Sequence, residues 1–369
     1  VSSILSAQTN KTVLVGMSGG VDSTVTACLL RAQGYQVMGV TMQVWDGSVP
    51  LPDTGRSGCF GPGEVRELEA IRALARQLGF EHVTLNLAQQ YARSVLDYFR
   101  AEYLRGKTPN PCVVCNHTMK FGALLDAARA QGITFDYFAT GHYARIGFDA
   151  ARGRYLLRRG IDPTKDQSYF LSQLTQEQLR LVLCPLGEMT KAAVKAKAIE
   201  FGLPQLAARP ESQDFIESDN YAALFAGRAI EPGPIFDTHG VELGRHRGIV
   251  YYTIGQRKGL GIGGGTGEPY YVVAIDACRN AVIVGRHDEV MTCALEAGAL
   301  NWIALAAPTA PFRATVRIRQ QHTPAPALVT PLDATRAQIV FDEPQLAITP
   351  GQAVVLYDDA VVLAGGFIV

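Results

Sequence analysis

The stretch Val13-Leu14-Val15-Gly16-Met17-Ser18-Gly19-Gly20-Val21-Asp22-Ser23 decides the fold. An apolar run of strand length meets a turn carrying glycines, two hydroxyls and a carboxylate, and helical spacing follows over 24–32. A strand, a Gly-rich turn and a helix N-terminus together present backbone N–H groups to an anion. The turn therefore predicts a nucleotide site. It lacks the Gly-Lys-Ser/Thr ending whose lysine reaches the terminal phosphates of a Walker loop, which argues against γ-phosphoryl transfer.

Outward from this turn, 36–42, 82–87 and 135–140 read as further strands, with helical spacing over 64–78, 91–103 and 118–130. The alternation predicts a parallel sheet with helices on both faces and ligands at the carboxyl ends of the strands. Past Gly202-Leu203-Pro204 the pattern changes to short β-rich runs separated by Gly and Pro, among them 248–253, 270–275, 312–320 and 353–357. The expected architecture is α/β. A Rossmann-like parallel-sheet domain spans 1–205, a small mostly β domain 206–287 and a C-terminal β-barrel 288–369.

With 369 residues and 47% hydrophobic content, two or three domains with real cores are expected. No apolar run approaches the roughly 18 residues of a membrane span, and residues 1–10 read as a short disordered leader. Seven cysteines at irregular spacing point to a reducing, cytoplasmic setting. The net charge of zero divides unevenly: residues 1–204 hold 22 Lys and Arg against 17 Asp and Glu, and the remainder holds 12 against 17. A uniformly basic nucleic-acid coat is excluded, whereas a local basic surface is not.

A second constellation is Gly106-Lys107-Thr108-Pro109-Asn110-Pro111-Cys112-Val113-Val114-Cys115-Asn116-His117. Two prolines fix an extended loop, and the Cys-x-x-Cys spacing places two thiols at a helix start, where the dipole is expected to lower their pKa. Nucleophile, redox pair and metal ligand are all open to them. Cys28, Cys184, Cys278 and Cys293 read as small hydrophobes.

The Ser-Gly-Gly-x-Asp-Ser turn resembles the PP-loop of ATP pyrophosphatases, which cleave ATP between its α and β phosphates. Over nearly the whole chain the sequence resembles the tRNA-specific 2-thiouridylase (MnmA) family. The matching segments include Thr108-Pro109-Asn110-Pro111, Cys115-Asn116, Lys120-Phe121, Ala139-Thr140-Gly141-His142-Tyr143, Lys165-Asp166-Gln167-Ser168-Tyr169-Phe170-Leu171, Tyr252-Thr253-Ile254-Gly255-Gln256-Arg257-Lys258-Gly259-Leu260 and Phe341-Asp342-Glu343-Pro344. The resemblance implies ATP-dependent replacement of the C2 oxygen of a wobble uridine by sulfur, in the anticodon stem-loop of tRNA. It implies ATP contacts at Gly16, Ser18, Gly19, Gly20, Asp22, Ser23, Met42, Gly141 and His142, with Asp22 helping to place Mg²⁺. Contacts to tRNA are expected at Arg105, Lys107, Lys165, Gln167, Arg257, Lys258, Arg317 and Arg319, with Arg313, Arg317 and Arg319 sharing one strand face.

The chain departs from the commoner family pattern. Cys112 stands where an aspartate is usual, and Ser212-Gln213-Asp214-Phe215-Ile216 lacks the usual second cysteine. Cys59, in Ser57-Gly58-Cys59-Phe60-Gly61-Pro62-Gly63-Glu64, offers a third thiol at the same crevice edge. Cys59, Cys112 and Cys115 are expected to ligate a 4Fe-4S cluster with one open iron. The alternatives are a Cys112/Cys115 persulfide–disulfide route or a structural Zn²⁺ site. Sulfide or a cysteine-desulfurase relay would supply the sulfur, and the expected state is a monomer or weak homodimer. The rival classes are another PP-loop adenylating enzyme, which needs no clustered thiols, and a non-catalytic tRNA-binding relative.

Overall fold

The computed structural model describes residues 10–55, 58–209, 215–217, 221–262 and 267–369. Most of the expected leader, Ser57, and Ser212-Gln213-Asp214 lie outside them. The described chain divides into two units. The first comprises residues up to 94, 112–219 and 360–362; the second comprises 95–111, 220–359 and 363–369.

In chain order, the first unit contains β1 (Thr12–Gly16), α1 (Val21–Ala32), β2 (Gln36–Gln43), α2 (Glu64–Leu78) and β3 (Glu81–Asn86). Then come α3 (111–130), β4 (Tyr137–Ala139), the hairpin β5 (Ala144–Asp149) and β6 (Arg154–Arg159), β7 (Val182–Leu183) and α4 (Lys191–Glu200). The parallel sheet has the order β3-β2-β1-β4-β7. β1 is its centre: Leu14 lies opposite Met38 on one side and Phe138 on the other. Because β1 is covered on both faces, its side chains form a continuous apolar run, and Val13, Leu14 and Val15 are all fully buried. The strand order reverses between β1 and β4, which opens a crevice at the carboxyl end of β1, where the Gly-rich turn leaves the sheet.

Helix α1 is gripped from two sides. Ala27 and Leu30 pack on Val13 and Val15 of the sheet. Val21 and Val25 pack on Val194 and Ala198 of α4. Its buried hydroxyls close on its own backbone, Thr24 Oγ1 donating to Gly20 O and Thr26 Oγ1 to Asp22 O, each at 2.8 Å. No polar group of that turn is lost to the core.

Two features differ from expectation. Helix α3 begins at Pro111, not at Thr118, so both cysteines lie inside its first turns, and it widens to a π-helical stretch over Cys115–Ala123. Pro at the first helical position starts the helix because its missing N–H would have had no partner there. The β5–β6 hairpin was not foreseen, since its charged residues, Arg145, Arg154, Arg158 and Arg159, mask the alternation.

The loop ahead of α2 is built around two carboxylates. Glu64 accepts the Val44 and Trp45 N–H groups, each at 2.8 Å. Glu217, almost fully buried, lies in a cradle of glycines: a Cβ on Gly58, Gly61 or Gly63 would come within 2.9, 2.5 or 2.6 Å of its atoms. Gly63 N donates to Glu217 Oε2 at 3.0 Å, and Glu217 N to Phe60 O at 3.2 Å.

The second unit holds a four-stranded sheet and a barrel. The sheet comprises β8 (Gly233–Asp237), β9 (Glu242–His246), β10 (Tyr271–Asp276) and β11 (Ala281–Gly285), in the order β10-β11-β8-β9. The barrel comprises β12 (Met291–Trp302), β13 (Phe312–Arg317), β14 (Ala325–Pro331), β15 (Ala337–Leu346), β16 (Ala353–Asp358) and β17 (Val361–Ile368). The six strands follow the order β12-β15-β14-β13-β16-β17 and close by pairing of β12 with β17. Alternate residues Ala337, Ile339 and Phe341 fill the interior. Among the described residues no helix is long and apolar enough to cross a membrane.

Burial raises the Glu64 carboxyl to about 7 against two opposing N–H bonds, with Glu67 and Glu217 adding to the rise. The unfolded chain ionises near the ordinary 4.5 while the folded chain does not, so the contribution of Glu64 to stability is fullest below 4.5 and is lost as pH rises to about 7. Urea unfolding between pH 4.5 and 7.5 should show wild type losing up to roughly 3 kcal/mol relative to Glu64→Gln.

Candidate active site

The turn between β1 and α1 is tied into a ring. Ser18 N donates to Ser23 Oγ, and the two serine hydroxyls meet at 3.2 Å. Gly19 takes a φ of +74°, left-handed backbone that favours glycine. The base of the turn is fastened to β2, with Met17 N donating to Val40 O at 2.8 Å and Thr41 Oγ1 donating to Met17 O at 2.7 Å. Met42, assigned to the nucleotide from the sequence, sits half-buried near the end of β2.

The end of β4 lies directly against this turn. A Cβ on Gly141 would stand 2.8 Å from the Asp22 carbonyl carbon and 2.9 Å from Ser23 N, so only glycine lets the two loops meet. His142 follows, with Nδ1 2.7 Å from Thr140 Oγ1. Burial, helped by the positive charge of Lys120, holds its pKa well below the ordinary range, so the ring is neutral at pH 7.

Asp22 is not open. Lys191 Nζ donates to both of its carboxylate oxygens at 2.8 Å, and Tyr143 OH donates to Oδ1 at 2.8 Å. Gln167 brackets the Tyr143 backbone, its Oε1 accepting the Tyr143 N–H at 3.0 Å and its own N–H donating to Tyr143 O at 2.9 Å, and Asp162 accepts the Lys191 N–H at 2.9 Å. Sequence reasoning missed Lys191 because it lies 169 residues from Asp22 in a helix, Lys-Ala-Ala-Val-Lys-Ala-Lys-Ala-Ile-Glu, whose other lysines look the same. The only signal was an Asp needing a partner.

Cys112 and Cys115 are half-buried one turn apart on α3, and Cys59 is exposed in the loop ahead of α2. The expectation that the helix start lowers their pKa is overturned. Burial pushes both Cys112 and Cys115 up to about 12, a Cys59 thiolate would push each further, and Lys120 opposes the rise. Desolvation of the thiolate outweighs the helix dipole here. The hydroxyl of fully buried Tyr91 is likewise raised by burial and then by the charges of Cys115, Cys59 and Cys112. All three thiols thus lie within electrostatic reach of one tyrosine. Tyr91 stacks on Phe60, which in turn packs on Trp45, so aromatic contacts fasten the Cys59 loop.

Among the described residues no three Cys, His, Asp or Glu side chains are arranged to hold a metal ion. As placed, the three cysteines do not form the ligand set of a cluster, and the Asp22 carboxylate is engaged by Lys191 and Tyr143.

Other assigned residues are placed variously. Gln167 serves Tyr143, as above, and Lys165 is half-buried. Ser168, grouped with them in the sequence, is fully buried against Asp166 and faces inward. In the second unit Arg257 and Lys258 are exposed, Arg105 is exposed and paired with Glu102 at 2.6 Å, and Lys107 is half-buried. The expected arginine face of β13 is not a free stripe. Arg313 pairs with Asp342, Arg317 bonds the Gln320 carbonyl, and Arg319 lies past the strand end, donating to Leu346 O at 3.0 Å.

Fold and turn define a PP-loop protein of the α/β class with appended β modules. Family models match residues 11–217 as a tRNA methyl transferase HUP domain, 225–286 as a tRNA methyl transferase PRC-barrel domain and 292–368 as an aminomethyltransferase beta-barrel domain. The chain is 48% identical over 360 residues to the tRNA-specific 2-thiouridylase MnmA of Moorella thermoacetica, covering 96% of this chain and 98% of that one. It is 45% identical over 366 residues to the protein of the same name from Acetivibrio thermocellus, at 97% and 99% coverage. The chain belongs to the tRNA-specific 2-thiouridylase (MnmA) family of tRNA sulfurtransferases.

With pKa values near 12, Cys112 and Cys115 should alkylate slowly with iodoacetamide at pH 7 and faster as pH rises, lagging the exposed Cys278. Lys120→Met should slow both further, by several-fold at pH 8.5 as judged by peptide mass spectrometry. Faster labelling of either than of Cys278 at pH 7 would contradict the burial argument.

Proposed function

We propose that this chain transfers sulfur to C2 of the wobble uridine of tRNA at the expense of ATP. The observation that carries this reading is the presence, in one unit, of a phosphate-cradling turn and a cluster of thiols, in a chain nearly half identical over its length to proteins named 2-thiouridylases. The chemistry needs both parts. Oxygen is a poor leaving group from C2, so O2 attacks the α-phosphorus of ATP, the bond to the β-phosphate oxygen breaks and pyrophosphate departs. A sulfur nucleophile then adds to C2, and AMP leaves with the former O2. ATP arrives as its Mg²⁺ chelate, so that ion travels with the substrate.

The sulfur step is derived through thiols alone. A persulfide on Cys115 attacks C2 by its terminal sulfur, releasing AMP and a proton. The Cys112 thiolate then attacks the Cys115 sulfur, leaving the outer sulfur on C2 and a Cys112–Cys115 disulfide, which a thiol reductant reopens. A cysteine-desulfurase relay is the proposed supply for this route, handing persulfide-level sulfur to the Cys115 thiol by transpersulfidation, whereas sulfide would serve only a cluster. A cluster on Cys59, Cys112 and Cys115 draws support from donor type and electrostatic reach, not from the arrangement of the side chains.

The uridine must leave the anticodon stack to reach the crevice, at a cost of a few kcal/mol. We assign residues 206–287 and the exposed cations Arg257, Lys258 and Arg105 to the tRNA. Arg247, 4.4 Å above the Tyr251 ring, joins them as a phosphate contact held by a cation–π pair.

The test is anaerobic, ATP-dependent sulfur incorporation into an unmodified glutamate tRNA transcript, with a cysteine desulfurase and cysteine supplying persulfide-level sulfur, comparing metal-free with iron–sulfide-reconstituted protein. Equal 2-thiouridine in both is expected, with loss of roughly a hundredfold or more in Cys115→Ser. Product only after reconstitution would move the sulfur to a cluster. No product in either, even with a desulfurase relay, would leave another PP-loop adenylating enzyme or a non-catalytic tRNA binder.

A further inference from the structure

We propose that Lys191 is the charge partner that makes the Gly-rich turn an anion site, and that Asp22 is held as the anion of a Lys191–Asp22–Tyr143 assembly rather than as a ligand for a cation. This rests on the assignment of the turn to ATP and goes beyond it.

The turn presents a contradiction that Lys191 resolves. A phosphate cradle at a helix N-terminus gathers backbone N–H groups for an anion, yet Asp22 places a carboxylate in the first turn of the same helix. A bare carboxylate there would repel a triphosphate. Lys191 meets it symmetrically, at 2.8 Å to each oxygen, and Tyr143 adds a third donor.

The assembly is built rather than incidental. The Lys191 side chain is only 10% exposed, against 31% for Asp22. Three supports aim it: Asp162 takes the Lys191 backbone N–H, Thr190 caps α4 through the Ala193 N–H, and Nζ lies 5.6 Å from the Tyr143 ring centre. Tyr143 is itself held by Gln167. Surface lysine pairs have no such scaffolding, and little follows from losing them. Removing Lys191 would instead strand Asp22 beside the incoming phosphates. Lys191 is thus a positioning residue acting through Asp22, and Asp22 tunes the turn electrostatically.

The experiment measures ATP binding to the full chain by calorimetry, with Mg²⁺ and with EDTA, in Lys191→Met, Lys191→Arg, Asp22→Asn and the Lys191→Met/Asp22→Asn double variant. Lys191→Met should weaken ATP binding about 30-fold, and the double variant should recover at least about tenfold of that loss, because neutralising Asp22 removes the repulsion. Lys191→Arg should bind more tightly than Lys191→Met. The double variant buries no unpaired charge and so keeps the test usable if Lys191→Met fails to fold, in which case it is compared with wild type and should lie within about threefold.

Two results would overturn the proposal. One is a double variant no better than Lys191→Met, or more than tenfold below wild type, which would make Lys191 a direct phosphate contact. The other is a tenfold rise in the Mg²⁺ needed for half-maximal binding in Asp22→Asn but not in Lys191→Met, which would make Asp22 a metal ligand. Absence of ATP binding by wild type would instead remove the nucleotide assignment itself, and the proposal with it.

Discussion

The contact on which the site depends is that between Gly141 and the backbone of Asp22 and Ser23. It joins the end of β4 to the turn after β1 at the point where the strand order reverses, and it leaves no room for a side chain. Everything nearby inherits its position from that approach. Tyr143 follows two residues after Gly141, so once the glycine is seated its phenol reaches Asp22 of the turn. Helix α1, clamped between sheet and α4, supplies the rigid counterpart. A cradle for phosphate has to be preorganised if its N–H groups are to point inward without a ligand, and packing on two faces achieves this.

The thiols answer to a different constraint. Burial keeps Cys112 and Cys115 protonated, which protects them from adventitious oxidants and makes them poor nucleophiles at rest. Lys120 is the cation that works against this, and the same charge helps to keep His142 neutral. One lysine therefore biases three proton equilibria, those of Cys112, Cys115 and His142, in a common direction, toward the deprotonated state of each group.

Local signals in the sequence carried the turn, the parallel sheet and the β-rich second half. Val13 to Ser23 is contiguous, and its apolar strand, glycines and hydroxyls each have one local structural use. The Lys191–Asp22 pair was illegible for the opposite reason, since it joins residues far apart through a helix whose lysines are indistinguishable by pattern. The thiol pKa values misled because a helix dipole can be read from position, whereas desolvation depends on what the rest of the chain stacks around the sulfur. Helix α3 began earlier than periodicity suggested because Thr108-Pro109-Asn110-Pro111 reads as loop, although the second proline occupies a position where proline starts a helix well. The arginines near β13 alternate as a binding face would, but carbonyls and Asp342 claim them.

The glycine cradle around Glu217 also constrains the order in which the protein can be finished. Gly58, Gly61 and Gly63 enclose a side chain that leaves the ribosome more than 150 residues later. At roughly 5–20 residues per second, about 8 to 30 seconds separate synthesis of the Cys59 loop from that of the residue that fills its cradle. During that interval the central strands can pair, because β1, β2 and β3 are all contained in the first 86 residues. The cradle that fixes the Cys59 loop is therefore completed only after β1, β2, β3 and the Cys112–Cys115 segment have been synthesised.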